Sequence, residues 1–304
     1  MNPASVAVVG GGVIGASVAY HLARRGWRDV VILDRAARPG EGSTGRATGG
    51  FRAQYATAIN VRLSLLARDK LRRFKAETGV DPGYSPAGYL WLASSEAELD
   101  TLRAGQAIQH AAGLTEAREV GSKDIAAINP ALSLDEVVGG VFCPSDGFVR
   151  PLQLLEGYLA AARRLGVRVH WGVEVTGLSL RADRTISAVK TSQGPIGVAA
   201  VVNAAGAWAA TVADFAGVEL PVVPLRRQVA ATEPCDVLPS DMPMTIFAGD
   251  GFHLRVREGR VLLLWPSPGV QGRPWDMQVE PEWIEAVVAM AHRRVPVLSG
   301  VAID

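Results

Sequence analysis

Residues 5–34, SVAVVGGGVIGASVAYHLARRGWRDVVILD, form the segment that decides the fold of this 304-residue chain. Their hydrophobic periods predict a buried strand over 5–9, a helix over 14–25 and a second apolar strand over 30–33. A strand, a glycine turn, a helix and a strand in this length indicate a right-handed βαβ unit. The run is apolar enough to suggest a signal peptide or a membrane span. It lacks a basic leader and is interrupted by glycines, so we expect neither.

Gly10, Gly12 and Gly15 give the spacing G-x-G-x-x-G in the turn between the first strand and the helix. The first glycine permits the tight turn, the second lets the backbone approach a pyrophosphate, and the third allows close packing of helix and strand. The helix N-terminus adds N–H groups and a positive dipole end. Asp34 ends the second strand, where its carboxylate can accept hydrogen bonds from ribose hydroxyls. It also repels a 2′-phosphate, although the adjacent Arg35 weakens this argument against NADP. The segment predicts a bound dinucleotide, either NAD or FAD.

The composition indicates a globular chain without an obvious polyanionic partner. It is 48% hydrophobic and 20% charged, with a net charge of +1, so we expect neither nucleic acid nor an anionic membrane as the main partner. Cys143 and Cys235 are the only cysteines, which excludes a disulfide framework and a cysteine-based zinc site. The histidines show no metal-ligand spacing. We expect a protein of a reducing, cytoplasmic compartment, with no bound metal.

The remaining chain alternates helical and strand-like segments. Residues 40–52, GEGSTGRATGGFR, are predicted to be a glycine-rich loop whose backbone can lie against a ligand. Helices are predicted over 58–77, 96–112, 122–128 (capped by Ser122), 151–165, 207–216 and 282–294, and strands over 88–93, 137–142, 167–180, 185–191, 198–203, 225–232, 252–256 and 260–265.

This order predicts two interleaved domains in an α/β fold, α+β overall. Residues 1–80 and 145–215 are expected to form a discontinuous nucleotide-binding domain, and residues 81–144 and 216–304 a β-rich substrate domain. An NAD dehydrogenase usually has its second domain as one contiguous block. The interleaving therefore favours FAD.

Several linked motifs resemble one family of flavoproteins. VAVVGGGVIGASVAYHLARRG, GSTGRATGGFR, PSDGFVRP and VVNAAGAWA occur in the order seen in the D-amino-acid-oxidase-like (DAO) superfamily of FAD-dependent amine oxidoreductases. The chain is most similar to the branch of sarcosine oxidase, glycine oxidase and the flavin subunits of dye-linked proline dehydrogenases. This resemblance implies a glutathione-reductase-like Rossmann FAD-binding domain and an interleaved antiparallel β-sheet substrate domain.

The resemblance also implies the residues that contact a non-covalently bound FAD. They are Gly10, Gly12, Gly15, Ser43 and Thr44 at the pyrophosphate, Asp34 at the adenosine ribose, Thr48, Gly49 and Gly50 beside the isoalloxazine, Val175 at the adenine, and Ala205 and Gly206 at the adenosine side. Val13, Ile14, Arg35, Ala47 and Trp208 are further cofactor-binding candidates. For Trp208 a packing role is the alternative, as it is for Trp265 and Trp275.

The activity implied is oxidation of the C–N bond of an amino acid or secondary amine of the sarcosine, glycine, proline or D-amino-acid type. A hydride would pass to flavin N5, and water would hydrolyse the resulting imine. Arg52 matches the arginine that grips the substrate carboxylate in sarcosine-oxidase-like members, and its planar fork suits that task. Arg255 is the second candidate. His253, which alternates with Arg255, is the third, with a structural role as its alternative.

Other interpretations stay open at this point. The electron acceptor is O2, a quinone or a partner flavin, and a hetero-oligomer with an electron-transfer subunit is possible. Family members continue with a flavin-covering segment beyond the position of Asp304, so the chain is either a fragment or binds flavin incompletely. Residues 262–265, LLLW, replace the small residues usual there. The alternative functions are a flavin oxidoreductase acting on a hydroxy acid or glycerol phosphate, and a non-catalytic FAD-binding subunit.

Overall fold

A computed structural model describes residues 2–266 and 278–304; the predicted packing residue Trp275 lies outside them. The helices are α1 (Val13–Arg24), α2 (Ser43–Arg46), α3 (Ala58–Thr78), α4 (Glu96–Ala111), α5 (Ser122–Ile128), α6 (Pro151–Arg164), α7 (Ala209–Asp214) and α8 (Pro281–Arg294), with 3-10 turns at Gly206–Trp208 and Pro296–Leu298. The strands are β1 (Ala4–Val9), β2 (Val30–Asp34), β3 (Gly50–Phe51), β4 (Tyr89–Ala93), β5 (Arg118–Val120), β6 (Gly139–Cys143), β7 (Gly147–Phe148), β8 (Arg168–Trp171), β9 (Val175–Leu180), β10 (Ile186–Thr191), β11 (Ile196–Asn203), β12 (Val229–Ala231), β13 (Met244–Phe247), β14 (His253–Arg257) and β15 (Arg260–Leu264).

The chain divides into two compact units. The first unit consists of Met1–Gly49, Leu71–Gly83 and Val149–Pro224, and the second of Gly50–Lys70, Tyr84–Phe148 and Leu225–Asp304. The predicted boundaries differ from these units at residues 50–70 and 145–148, which both group with the second unit, where β3 pairs with β7. Residues 81–83 and 216–224 group with the first unit instead of the second.

The first unit is built on a sheet with the strand order β8-β2-β1-β11-β10-β9. β1 is parallel to β2 and to β11, and β2 is parallel to β8, whereas β9, β10 and β11 pair antiparallel. The predicted strand–helix–strand unit at the amino terminus is therefore confirmed, with α1 between the two parallel strands. No helix among residues 2–266 and 278–304 is long and apolar enough to cross a membrane.

Both faces of the central parallel strands are buried, which explains why β1 and β2 are continuous apolar runs. On one face the strand residues pack with small and aliphatic residues of α1 and α6. This cluster includes Val6, Val8, Ile32, Ala16, Ala19, Leu155 and Leu159. On the other face, residues from β10 and β11 complete a second cluster with Ala7, Val31, Leu33, Val189 and Ile196.

The second unit contains a sheet with the order β12-β15-β14-β13-β4-β6-β5 and a two-stranded β3–β7 ladder. Neighbours in the large sheet are antiparallel except for β13 and β4, which are parallel. One face packs with α8 in a core that includes Leu90, Leu92, Phe247, Leu254, Leu263, Trp283 and Val287, with Trp265 packed against it. The register places Tyr89, Trp91, Met244, Ile246, His253 and Arg255 on the opposite face.

The α/β fold class is confirmed, and most predicted elements agree with the structure within a few residues. Five details were wrong. The strand predicted over 167–180 is divided into β8 and β9, which lie at opposite edges of the six-stranded sheet, because the chain bends at Gly172, where φ is +68°. The loop predicted over 40–52 contains α2 and β3. Ser122 is the first residue of α5, and Gly121 is its N-cap. The strand predicted over 225–232 is limited to β12, because only residues 229–231 pair with β15. The helix predicted over 207–216 begins as a 3-10 turn and shortens to α7.

Three short strands, β5, β7 and β13, were not predicted. β7 has only two residues and is a strand through its pairing with β3. β5 has only three residues, two of them charged, so its sequence shows no strand pattern. It is a strand because it pairs with β6. β13 is fully buried between β14 and β4, so it shows no alternation of polar and apolar residues.

Candidate functional site

The glycine turn of the first unit lies directly against the end of β11. The N–H of Ala204 donates to the carbonyl of the last residue of β1 at 2.9 Å. Gly10 has φ +106°, and a Cβ there would overlap the carbonyl of Ala204, while a Cβ at Gly15 would overlap the carbonyl of Gly10. Glycine is therefore required at both positions. The turn and the strand end that carries Ala205 and Gly206 therefore lie against each other.

The N-terminus of α1 offers an anion site. Its N-cap is Gly12, which has no side chain, and no acidic residue lies in its first turn. The hydroxyl of Thr44 accepts a hydrogen bond from the N–H of Val13 at 3.1 Å, so α2 begins beside this helix end. Ile14 is 66% exposed. The helix dipole and the backbone N–H groups of this turn fit a pyrophosphate.

The end of β2 brings a carboxylate to the same edge of the sheet. Asp34 accepts hydrogen bonds from the N–H of Gly11 at 2.6 Å and from the N–H of Ala36 at 2.8 Å, each through a different oxygen. Each oxygen keeps a lone pair that a ribose hydroxyl can use. The guanidinium of Arg35 stacks on the ring of Trp208 at 3.8 Å. These residues follow the carboxyl ends of parallel strands, where nucleotides bind in open α/β sheets.

The other predicted cofactor residues occupy separate elements. Ser43 begins α2, and residues 47–49 follow that helix in the first unit. Gly50 begins β3 and belongs to the second unit. Val175 begins β9 and pairs with Thr191. Their contacts with FAD stay predictions.

Thr44→Val is expected to weaken FAD binding several-fold and to lower the free energy of unfolding by about 1 kcal/mol, because the N–H of Val13 loses its partner. Flavin titration of the apoprotein and urea unfolding measure the two effects. Thr101→Val is the matched control, since its hydroxyl bonds only the carbonyl of Ala97 on an exposed turn of α4. Equal FAD affinity in the two variants would remove Thr44 from the site.

In the second unit, Arg52 follows β3 and lies against two aromatic rings. Its guanidinium carbon is 4.8 Å from the ring centroid of Tyr55 and 5.1 Å from that of Trp91. Within the described parts of the chain, no carboxylate or carbonyl forms a hydrogen bond with this guanidinium, and the buried indole N–H of Trp91 also has no partner. A cation that rests on rings and forms no hydrogen-bonded ion pair with a described carboxylate suits an incoming carboxylate.

Arg255 and His253 lie on the same face of the sheet, as their alternation predicted. Arg255 is 7% exposed, and its guanidinium carbon lies 3.5 Å from the ring centroid of Phe148. Burial lowers the pKa of Arg255 to about 10, and the charge of Arg257 acts in the same direction. His253 Nδ1 lies 2.8 Å from the carbonyl of Gly251, and burial lowers the pKa of this imidazole, so it is neutral at pH 7. The geometry favours a structural role for His253, and its catalytic role stays a prediction.

The sequence analysis missed Asp146 and Gln54. Asp146 is fully buried, and its carboxylate oxygens lie 2.8 Å from the N–H nitrogen of Ala53 and 3.2 Å from that of Gln54. Gln54 is 5% exposed, and neither atom of its side-chain amide has a partner in the part of the chain that the structure describes. An aspartate before a glycine reads as an exposed turn. Only its place inside the motif PSDGFVRP could have drawn attention to it.

Comparisons with known proteins agree with this arrangement. The model of the DAO family, described as FAD dependent oxidoreductase, matches residues 5–304. Human mitochondrial dimethylglycine dehydrogenase is 30% identical over 289 residues, which cover 92% of this chain and 32% of that protein. Mouse mitochondrial sarcosine dehydrogenase is 31% identical over 237 residues, which cover 76% of this chain and 26% of that protein. The crystal structure of L-proline dehydrogenase from P. horikoshii has a TM-score of 0.91 and 25% identity, covering 100% of this chain and 80% of that one.

The chain spans about a third or less of the length of these two mitochondrial relatives. The family match, in contrast, extends over almost the whole chain, from the glycine turn to the last residue. The chain therefore belongs to the DAO family of FAD-dependent oxidoreductases.

Proposed function

We propose that this protein binds FAD non-covalently and oxidises the C–N bond of an amine that carries a carboxylate, of the sarcosine, glycine, proline or D-amino-acid type. The observation that supports it most is the guanidinium of Arg52. It lies between Tyr55 and Trp91, and no carboxylate of the described residues pairs with it. A substrate carboxylate would supply a hydrogen-bonded counter-ion through two parallel hydrogen bonds.

The residues present fit FAD. Gly10, Gly15 and the end of β11 form a turn that has no room for side chains, and α1 begins there without an acidic residue. Thr44 would hold the pyrophosphate and Asp34 the ribose. FAD, when bound, supplies the hydride acceptor, so the protein needs little acid–base apparatus of its own.

The side chains of the second unit would bind and orient the substrate. Arg52 would hold its carboxylate, and the rings beside Arg52 would exclude water from the pair. Leu262 and Leu264 lie directly opposite Arg255 and His253 on neighbouring strands and share their face of the sheet. This apolar surface lowers the local dielectric constant, which strengthens a charge pair.

The names of the relatives support this class of substrate. Dimethylglycine, sarcosine and proline are all secondary or tertiary amines with a carboxylate. The electron acceptor, whether O2, a quinone or a partner flavin, and a hetero-oligomeric partner are proposed on the family resemblance alone. A reducing, cytoplasmic compartment is proposed because both cysteines, Cys143 and Cys235, are free thiols.

Anaerobic reduction of the bound flavin tests the proposed reaction. We expect sarcosine, L-proline or another amino acid to bleach the yellow protein, and L-proline to react much faster than pyrrolidine, which has the same ring without the carboxylate. Bleaching by lactate or glycerol 3-phosphate alone would favour a hydroxy-acid or glycerol-phosphate oxidoreductase. If the flavin is properly bound and no compound of the panel reduces it, the result would favour a non-catalytic FAD-binding subunit.

A further inference from the structure

The backbone on both sides of Arg52 is held by the turn that joins β6 to β7. Residues 50–51 pair with residues 147–148 in the β3–β7 ladder. The two residues that follow Arg52 donate their backbone N–H groups to the carboxylate of Asp146, at 2.8 Å and 3.2 Å. The segment that carries the arginine is therefore fixed before and after it by the same turn.

The pair of N–H donors specifies a carboxylate at position 146. A carboxylate presents two acceptor oxygens at once, whereas the amide of asparagine presents one acceptor and one donor. The carboxylate of Asp146 is fully buried, and a buried carboxylate is unfavourable unless hydrogen bonds and charges compensate it. Here the compensation comes from the two N–H groups and from the nearby guanidinium groups of Arg68 and Arg52.

Asp146 is also connected by hydrogen bonds to the backbone of Tyr55, whose ring lies beside Arg52. The N–H of Tyr55 donates to the carbonyl of Ala53 at 2.9 Å. A movement of Ala53 away from Asp146 would therefore shift the ring on which the guanidinium rests. The position of the cation depends on the carboxylate through this short chain of contacts.

We propose that Asp146 is a positioning residue whose carboxylate holds the segment after Arg52, so that the guanidinium stays between Tyr55 and Trp91 and is ready for the substrate carboxylate. This inference rests on the proposed role of Arg52. In this proposal Asp146 acts through Arg52 and not by contact with the substrate.

The geometry makes carboxylate binding sensitive to pH. Burial raises the pKa of Asp146 to about 6, against the opposing effect of its hydrogen bonds and of Arg68 and Arg52. When Asp146 is protonated, one oxygen becomes a donor and one of the two N–H bonds is lost. The other titratable groups that face it, Tyr89 and Cys143, have pKa values raised by burial and stay neutral near pH 6. Carboxylate affinity should therefore fall as the pH drops through about 6.

The free energy of unfolding should respond in the opposite direction. The folded-state pKa of Asp146 lies above the ordinary value of 3.8. Between these two pKa values the folded state binds more protons than the unfolded state, so this group lowers stability as the pH rises. A loss of carboxylate affinity at low pH is thus not explained by global unfolding through this residue.

The experiment uses the full chain loaded with FAD and compares Asp146→Asn with Ser145→Ala. Ser145 is the neighbouring residue in the turn; its hydroxyl bonds Arg68 at 2.6 Å and makes no hydrogen bond with residues 53–54. The Kd of methoxyacetate, read from the flavin absorption, requires no turnover. The ratio of kcat/KM for L-proline and pyrrolidine, and urea unfolding, complete the readouts.

Asp146→Asn should weaken methoxyacetate binding and lower kcat/KM for L-proline by about 10- to 100-fold, with less than roughly a 3-fold change for pyrrolidine. Ser145→Ala should change each of these by less than roughly 3-fold. The wild-type Kd should rise below pH 6, and the Asn variant should lose that dependence. This pH series tests the inference even where the variant does not fold.

A double-mutant cycle separates this inference from the proposed function. After Arg52→Ala, the Asp146→Asn change should have no further effect on methoxyacetate binding. Additive effects, equal losses for L-proline and pyrrolidine, or a wild-type Kd that is flat across pH 6 would overturn the positioning role. If methoxyacetate binding depends on both residues but no amine reduces the flavin, the proposed reaction fails and this inference stands.

Discussion

Replacement of Arg52 by alanine is expected to lower kcat/KM for amines that carry a carboxylate by roughly 30- to 5,000-fold. This corresponds to a loss of about 2–5 kcal/mol of transition-state stabilisation. The loss should be this large because the guanidinium lies against rings and forms no hydrogen-bonded ion pair with a described carboxylate; the buried Asp146 lies near it without bonding it. Removing it leaves the substrate carboxylate without its charge partner in a partly desolvated site. Steady-state and stopped-flow reduction with L-proline and pyrrolidine measure the effect.

Two companion variants sharpen the Arg52 prediction. Arg52→Lys keeps the charge but loses the planar fork, so it should recover only part of the activity towards L-proline. Arg118→Ala is the matched control, because Arg118 also stacks on a ring, Phe142, at 5.7 Å, and lies at the edge strand β5. An Arg52→Ala variant that keeps the preference for L-proline over pyrrolidine would remove Arg52 from the substrate site.

Gly10→Ala is expected to abolish FAD retention and to lower the free energy of unfolding by more than about 3 kcal/mol. A left-handed backbone costs an alanine about 1–2 kcal/mol. At Gly10, with φ +106°, the new methyl group would also overlap the backbone carbonyl of Ala204, which no change of side-chain rotamer relieves. The displaced strand end would distort the turn in which the pyrophosphate is proposed to bind. Urea unfolding and the flavin content of the purified protein measure both losses.

Gly26→Ala separates the crowding from the backbone strain. Gly26 has φ +92°, close to that of Gly10, but a Cβ there would meet nothing within 4 Å. This variant should lose only about 1–2 kcal/mol and keep its flavin. Similar stability and flavin content in the two variants would show that the contact between the turn and β11 is unimportant.

The fold of the first unit was predictable because its signals are local. The spacing of Gly10, Gly12 and Gly15, the apolar strands beside them and the helical period of α1 each describe a few consecutive residues. Asp34 could be assigned for the same reason, since it directly ends β2. The strands that the sequence did not predict have no clear strand pattern of their own. They are strands because they pair with a neighbour, as β5 does with β6.

The site in the second unit was predictable only in part. Arg52 was found through a family resemblance, and Arg255 and His253 through the alternation of a strand. The rings beside Arg52 come from different parts of the chain, and Trp91 reaches it from β4. Gln54 looked like an ordinary polar loop residue, yet it is buried. Burial of a polar side chain in a loop has no signature in a single sequence.

The sequence by itself determined the nucleotide-binding βαβ unit of residues 5–34, with its glycines and its acidic strand end, and membership of a family of FAD-dependent oxidoreductases. The βαβ unit could be predicted because it depends on short-range periodicity and on the conformational freedom of glycine. Only the tertiary structure decided which groups surround Arg52 and hold it in place. Asp146 binds a backbone N–H group 93 residues away, and this contact exists because the β3–β7 ladder brings the two segments together.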